Sequence, residues 1–166
     1  MTNIEQLADQ YGLFLCVECG KCVAVCPMGE IYTHVSYEIS PRGIIERILL
    51  DPEIPEDDCL WFCLTCDLCT SFCPAGVRFR DFVEVARQWM IKTGITQFGS
   101  FCDSCGTYLY PRHTLEYMKQ ILGENTEELL RLCPRCRRYK IGGKVKTLLP
   151  GGQKVSTQQV QMGGDQ

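Results

Sequence analysis

Histidine is nearly absent from this sequence: there are only two, His34 and His113, in 166 residues. Neither has an obvious nucleophile or carboxylate partner, so each reads as an ordinary surface or packing side chain. There is no Gly-x-Gly-x-x-Gly turn for a dinucleotide and no lysine-bearing phosphate loop. No apolar run approaches the roughly 20 residues that cross a bilayer as a helix. Residues 1–12 are polar and acidic, unlike a signal or transit peptide, so a cytoplasmic location is expected. An excess of basic charge is missing too. Seventeen Lys and Arg against 20 Asp and Glu leave −3, with a pI near 5.4, which argues against nucleic acid as the main partner. The length suits one compact soluble domain or two small ones, and excludes a large multidomain enzyme carrying its whole active site.

What the chain has instead is cysteine, 13 of them. The number is odd, and nothing points to secretion, so a disulfide scaffold is a poor reading. In a reducing compartment, clustered thiols are read as metal ligands, because the thiolate is the ligand. Twelve of them fall into groups. Cys16, Cys19, Cys22 and Cys26 follow Cys-x2-Cys-x2-Cys-x3-Cys and run into Pro27, and Cys63, Cys66, Cys69 and Cys73 repeat that pattern into Pro74. Two looser pairs follow, Cys102 with Cys105 and Cys133 with Cys136, while Cys59 stands alone.

The repeated run is the bacterial ferredoxin motif. Three thiolates two residues apart lie on one tight loop that wraps a corner of a 4Fe–4S cube. The fourth, one residue further on and followed by proline, points away and ligates the cluster of the other motif. Cys16, Cys19, Cys22 and Cys73 are therefore expected to hold one cluster, and Cys63, Cys66, Cys69 and Cys26 the second. Structural zinc takes four ligands, usually from two separated knuckles, and fits a triple run with a Cys-Pro ending poorly. With both clusters supplied, Cys59 reads as a buried or spare thiol.

Thirty-six residues separate Cys26 from Cys63, too many for a hairpin-linked small ferredoxin. Ser40 and Pro41 read as an N-cap and first helical residue, followed by Ile44, Ile45, Ile48 and Leu49 at helical spacing until Pro52. Ile4, Leu7 and Tyr11 form a stripe behind an Asn3 cap, with Gly12 as the stop. Phe82, Ala86, Trp89 and Met90 share a face of a helix that Gly94 ends. These stripes read as core packing. Val17, Val23, Val25 and Leu64 are expected to keep water from the sulfurs. Backbone N–H groups, with Thr65, Thr70 and Ser71, are expected to donate hydrogen bonds to them.

The stretch from Leu13 to about Arg87 resembles the α-helical dicluster ferredoxins. The resemblance rests on the two Cys-Pro motifs, Ser40-Pro41-Arg42-Gly43, Trp61-Phe62-Cys63 and Cys73-Pro74-Ala75-Gly76-Val77. Among them the chain is most similar to the C subunit of heterodisulfide reductase, a short dicluster chain with little else. The resemblance implies an electron-relay subunit without catalytic residues, passing single electrons between a flavin-bearing subunit and a catalytic iron–sulfur subunit. Three other readings stay open. These are a free-standing soluble ferredoxin, the iron–sulfur subunit of a hydroxy-acid or glycerol-phosphate dehydrogenase, and a zinc and iron–sulfur redox sensor that binds nucleic acid.

Cys102, Cys105, Cys133 and Cys136 look like two zinc knuckles closing one tetrahedral site, with a 2Fe–2S cluster or a single iron as alternatives. Thr114 to Leu122 reads as a helix between them, with Leu115, Met118, Ile121 and Leu122 apolar, and Glu127 to Leu132 as a shorter one. Residues 51–58 carry five acids and residues 131–146 seven bases, each read most simply as a solvated loop, the basic run also as a docking surface for an acidic partner in preference to nucleic acid. Gly and Gln dominate after Pro150, predicting a flexible tail. The expected architecture is mainly α: a dicluster domain over residues 1–95, a zinc-ribbon-like four-cysteine metal-binding module over 96–149, and the tail over 150–166.

Overall fold

The structure, a computed structural model, describes residues 4–32, 36–51, 58–123 and 126–148. His34, most of the acidic run, Asn3, Pro52 and the tail lie outside the described residues. The chain is mostly helical. In order come α1 (Ile4–Gln10), α2 (Lys21–Ala24), α3 (Met28–Ile31), α4 (Pro41–Leu50), α5 (Cys59–Phe62), α6 (Leu68–Ser71) and α7 (Phe79–Lys92). After them come β1 (Gly99–Phe101), β2 (Tyr108–Pro111), α8 (Arg112–Leu122), α9 (Glu127–Leu130) and α10 (Pro134–Leu148).

The longer helices of the first part are built by the apolar stripes. On α7, Phe82, Val83, Ala86 and Met90 are fully buried, and they share one core with Ile44, Ile45 and Ile48 of α4 and Ile4 and Leu7 of α1. Each large side chain withdrawn from water here contributes about 1.5–3 kcal/mol. Helix α4 starts as expected: the Ser40 hydroxyl, itself buried, accepts a hydrogen bond from the Gly43 N–H at 3.1 Å, with Pro41 in the first turn. Gly43 is the residue that lets the preceding 3₁₀ turn, Tyr37–Ile39, lie against α4. A Cβ there would stand 2.9 Å from the Glu38 Cα, with the Tyr37 carbonyl oxygen closer still. Cys59 is buried in the same core.

In the second part β1 and β2 pair antiparallel, with Gly99 opposite Pro111 and Ser100 opposite Tyr110. Helix α8 begins two residues before the expected Thr114 and stops at Gly123, whose φ is 76°. None of its residues is buried; Ile121 and Leu122 face solvent rather than a core. The basic run departs most from expectation: it is largely helical, as α10, and several of its cations are engaged within the fold. Arg131 pairs with Asp103 through two bonds of 2.9 and 3.2 Å, Lys140 pairs with Glu128, and Arg137 donates to the Leu132 carbonyl at 3.3 Å. The pairs of Arg131 and Lys140 lie on the exposed surface, so the run is solvated as expected but is a helix rather than a loop.

The two parts meet through aromatic rings. Trp61, fully buried on α5, packs against Phe98 and Tyr108, and Tyr32 meets Tyr117 of α8 edge-on.

Candidate metal centres

The two Cys-Pro motifs take the same backbone path. In the first, Glu18 and Gly20 flank Cys19 with φ of 56° and 73°; in the second, Thr65 and Asp67 flank Cys66 with φ of 52° and 69°. Left-handed backbone on either side of the middle cysteine coils each loop around a concave face. Glycine takes this region freely, but a β-branched residue such as Thr65 does so only where its surroundings hold it there. Each loop then enters a one-turn helix, α2 or α6, that turns the third cysteine inward.

The sulfurs gather around two cavities. Cys16, Cys19, Cys22 and Cys73 line one, together with Ala75 and Val77. Cys26, Cys63, Cys66 and Cys69 line the other, beside Met28 and Leu68. Each cavity thus has three cysteines of one motif and the proline-preceding cysteine of the other. Cys69 and Pro41 line both, so the two cavities share a wall. Burial pushes the Cys69 thiol up to about 12 and raises those of Cys22, Cys26 and Cys63. Thiols that resist ionising unaided become thiolates only when a metal takes the proton's place. The donor set and the concave loops fit iron–sulfur clusters.

The supporting groups differ from the expected list. The Thr65 N–H does reach the Cys63 sulfur at 3.4 Å, and the Thr70 hydroxyl bonds with Cys69. Ser71 instead donates to the Asp67 carbonyl at 3.0 Å, because that oxygen lies one helical turn behind it. Val17 is 64% exposed and excludes little water from the sulfurs. Arg42, which carried only the resemblance, is a functional neighbour: its guanidinium comes within 3.9 Å of the Cys16 sulfur and pairs with Glu18 at 2.9 Å. His113 is also more than a packing residue, since its Nε2 lies 3.2 Å from Asp58 Oδ2, 55 positions away. A long-range partner of this kind leaves no mark in local spacing.

The third group is built from two different supports. Cys102 and Cys105 sit on the turn between β1 and β2, where Gly106 has a φ of 70° and its N–H donates to the Cys102 carbonyl at 2.8 Å. Cys133 directly precedes α10 and Cys136 lies in its first turn, where unpaired N–H groups favour negative charge. The two halves are locked by the Arg131–Asp103 pair, by the Asp103 N–H bonded to the Arg131 carbonyl at 3.0 Å, and by the Tyr110 hydroxyl donating to the Leu130 carbonyl. All four sulfurs lie within 4.8 Å of one another. Around a single ion with ~2.3 Å bonds, tetrahedral sulfurs stand about 3.8 Å apart. Thiolates on opposite irons of a 2Fe–2S rhomb stand further apart, so the geometry fits one ion. The Cys133 N–H, 3.3 Å from the Cys102 sulfur, pulls that thiol down to about 6. That favours the thiolate form of Cys102, the form that ligates a metal.

Residues 9–77 match the family model of a 4Fe-4S dicluster domain, and all the cysteines of the two Cys-Pro motifs lie within that segment. That segment is thus similar to a 4Fe-4S dicluster domain, which suggests electron transfer, and it is followed by a four-cysteine group able to hold a metal. No curated protein matches the chain. Among the described residues, no helix is long and apolar enough to cross a membrane.

Proposed function

We propose that this protein is an electron-relay subunit of a heterodisulfide reductase-like oxidoreductase complex, located in the cytoplasm. Cys16, Cys19, Cys22 and Cys73 hold one 4Fe–4S cluster and Cys63, Cys66, Cys69 and Cys26 the other; a zinc ion is held by Cys102, Cys105, Cys133 and Cys136. Bound there, the clusters supply one-electron transfer. The partners are a flavin-bearing subunit and a catalytic iron–sulfur subunit. In domain terms, residues 1–95 form the relay and 96–149 a structural module docked on it.

The observation that carries the reading is the shared wall. Cys69 and Pro41 line both cavities, so clusters bound in them would stand side by side in one chain, as a relay needs. The residues do the rest without catalysing anything. The left-handed loops hold three thiolates inward, the crossed cysteines tie the two centres into one core, and α4 and α7 keep that core dry.

The test is the content of iron, acid-labile sulfide and zinc per chain after anaerobic purification. About eight iron, eight sulfide and one zinc are expected, with reduction in one-electron steps. About ten iron and no zinc would make the third site redox-active. Zinc with almost no iron would overturn the relay.

A further inference from the structure

Arg42 and the exposed Lys21 line the first cavity and Arg80, paired with Glu84, lines the second, whereas Arg87 lies behind the second, bonded to the backbone of Cys63, in surroundings opposite to those of Arg42. Arg42, at the first, is matched by Glu18 at 2.9 Å, and Glu18 is 74% exposed. Arg87, behind the Cys63 backbone, is 4% exposed. Its guanidinium donates to the Leu60 carbonyl through Nε at 3.0 Å and through Nη2 to the carbonyls of Leu60 and Cys63, both at 2.5 Å, and it lies 5.7 Å from the Trp61 ring centroid. Among the described residues no carboxylate pairs with it. Glu84 lines a separate cleft with Arg87, Cys63 and Tyr108, but its carboxylate is bonded to Arg80 at 3.2 Å.

A buried cation is costly unless an opposite charge compensates it. Carbonyl oxygens give Arg87 hydrogen bonds but no net charge. The remaining source of negative charge at hand is the group of thiolates to which Cys63 belongs. We infer that Arg87 is a positioning and potential-setting residue. Its unscreened positive charge raises the reduction potential of the cluster held through Cys63, making that centre the resting place of the electron. The inference rests on the relay reading, in that Cys63 must ligate a cluster.

The electrostatics are simple in sign. Reduction adds one negative charge to the cluster, and a fixed positive charge in a low-dielectric site stabilises the reduced form more than the oxidised one. The same charge opposes the effect of burial on the Cys63 thiol, and it also reaches the Tyr32 and Tyr108 phenols. Arg42, neutralised by a Glu18 carboxylate that stands in water, exerts a weaker field on its own cavity.

The experiment is a redox titration followed by EPR on the full chain, comparing the native protein with R87Q and R87K after counting iron and sulfide in each. R87Q is expected to lower one of the two midpoint potentials beyond replicate scatter and leave the other in place. R87K, which keeps the charge but not the fork, is expected to leave both near the native values. Equal lowering in R87Q and R87K, or no change in R87Q with both clusters bound, would overturn the inference. If R87Q fails to assemble, R87M, which removes the charge but keeps the bulk, takes its place: one lowered midpoint supports the role of charge, and two unchanged midpoints with both clusters bound overturn it. A native chain with no cluster at Cys63 would show about four irons before any potential is read. That result would sink the relay reading itself.

Discussion

The His113 imidazole lies flat on the Phe62 ring, with centroids 3.9 Å apart and planes 16° from parallel. Phe62 is the residue before Cys63, and His113 belongs to α8 of the second module. The stack, with the Asp58 contact on the same imidazole, fastens the C-terminal module to the second cavity. H113A is therefore expected to destabilise the loaded protein by about 1 kcal/mol while iron and zinc contents stay at native levels. A thermal melt paired with metal analysis checks it; an unchanged melting temperature would mean that the stack contributes nothing.

Gly20 and Gly43 should respond to alanine for different reasons. Nothing stands within 4 Å of a Cβ at Gly20, so G20A carries only the strain of its φ of 73°, about 1 kcal/mol. At Gly43 the Cβ meets backbone, and the Tyr37–Ile39 turn must move off α4, at about 2–3 kcal/mol. Denaturant unfolding of both variants should rank G43A clearly below G20A.

The crossed cysteines make the assignment testable cysteine by cysteine. C73S is expected to damage the centre built on Cys16, Cys19 and Cys22, and C26S the centre built on Cys63, Cys66 and Cys69. EPR of each variant should show a three-iron centre or a missing cluster, with the other cluster's signal retained. Loss of the same signal from both variants would refute the crossing.

The third site should be separable from the first two. C105S and C136S are each expected to lose the single metal ion while about eight irons per chain remain. Metal analysis decides this, and loss of iron in step with zinc would show that the three sites load as one.

Much of the fold is legible in the sequence, and the physical reason is locality. A thiolate every third residue, a serine before a proline, and apolar residues at helical spacing all act over a few positions, so the loops, the Ser40 cap and the α7 face can be read directly. Tertiary contacts cannot. Arg87 is three residues from Glu84 on an ordinary-looking helix, and nothing nearby shows that it is buried against Leu60. Asp58 and His113 are equally remote from one another in sequence. The basic run is solvated as expected but helical rather than a loop: Arg131 and Lys140 pair with Asp103 and Glu128 on the exposed surface, and Arg137 reaches the Leu132 carbonyl. The left-handed turns at Thr65 and Asp67 are hidden for another reason. Neither residue type prefers that conformation as glycine does, and only the repeat of the first loop hints at it.

The cavity lined by Cys16, Cys19 and Cys22 takes its remaining cysteines from far down the chain, at positions 69 and 73. During synthesis the first motif emerges early and must wait, with its thiols bare, until the second motif has left the ribosome. Oxygen or a stray metal reaching those thiols in that interval would meet an incomplete site. On the relay reading, a cluster can be completed there only after the second motif has been made.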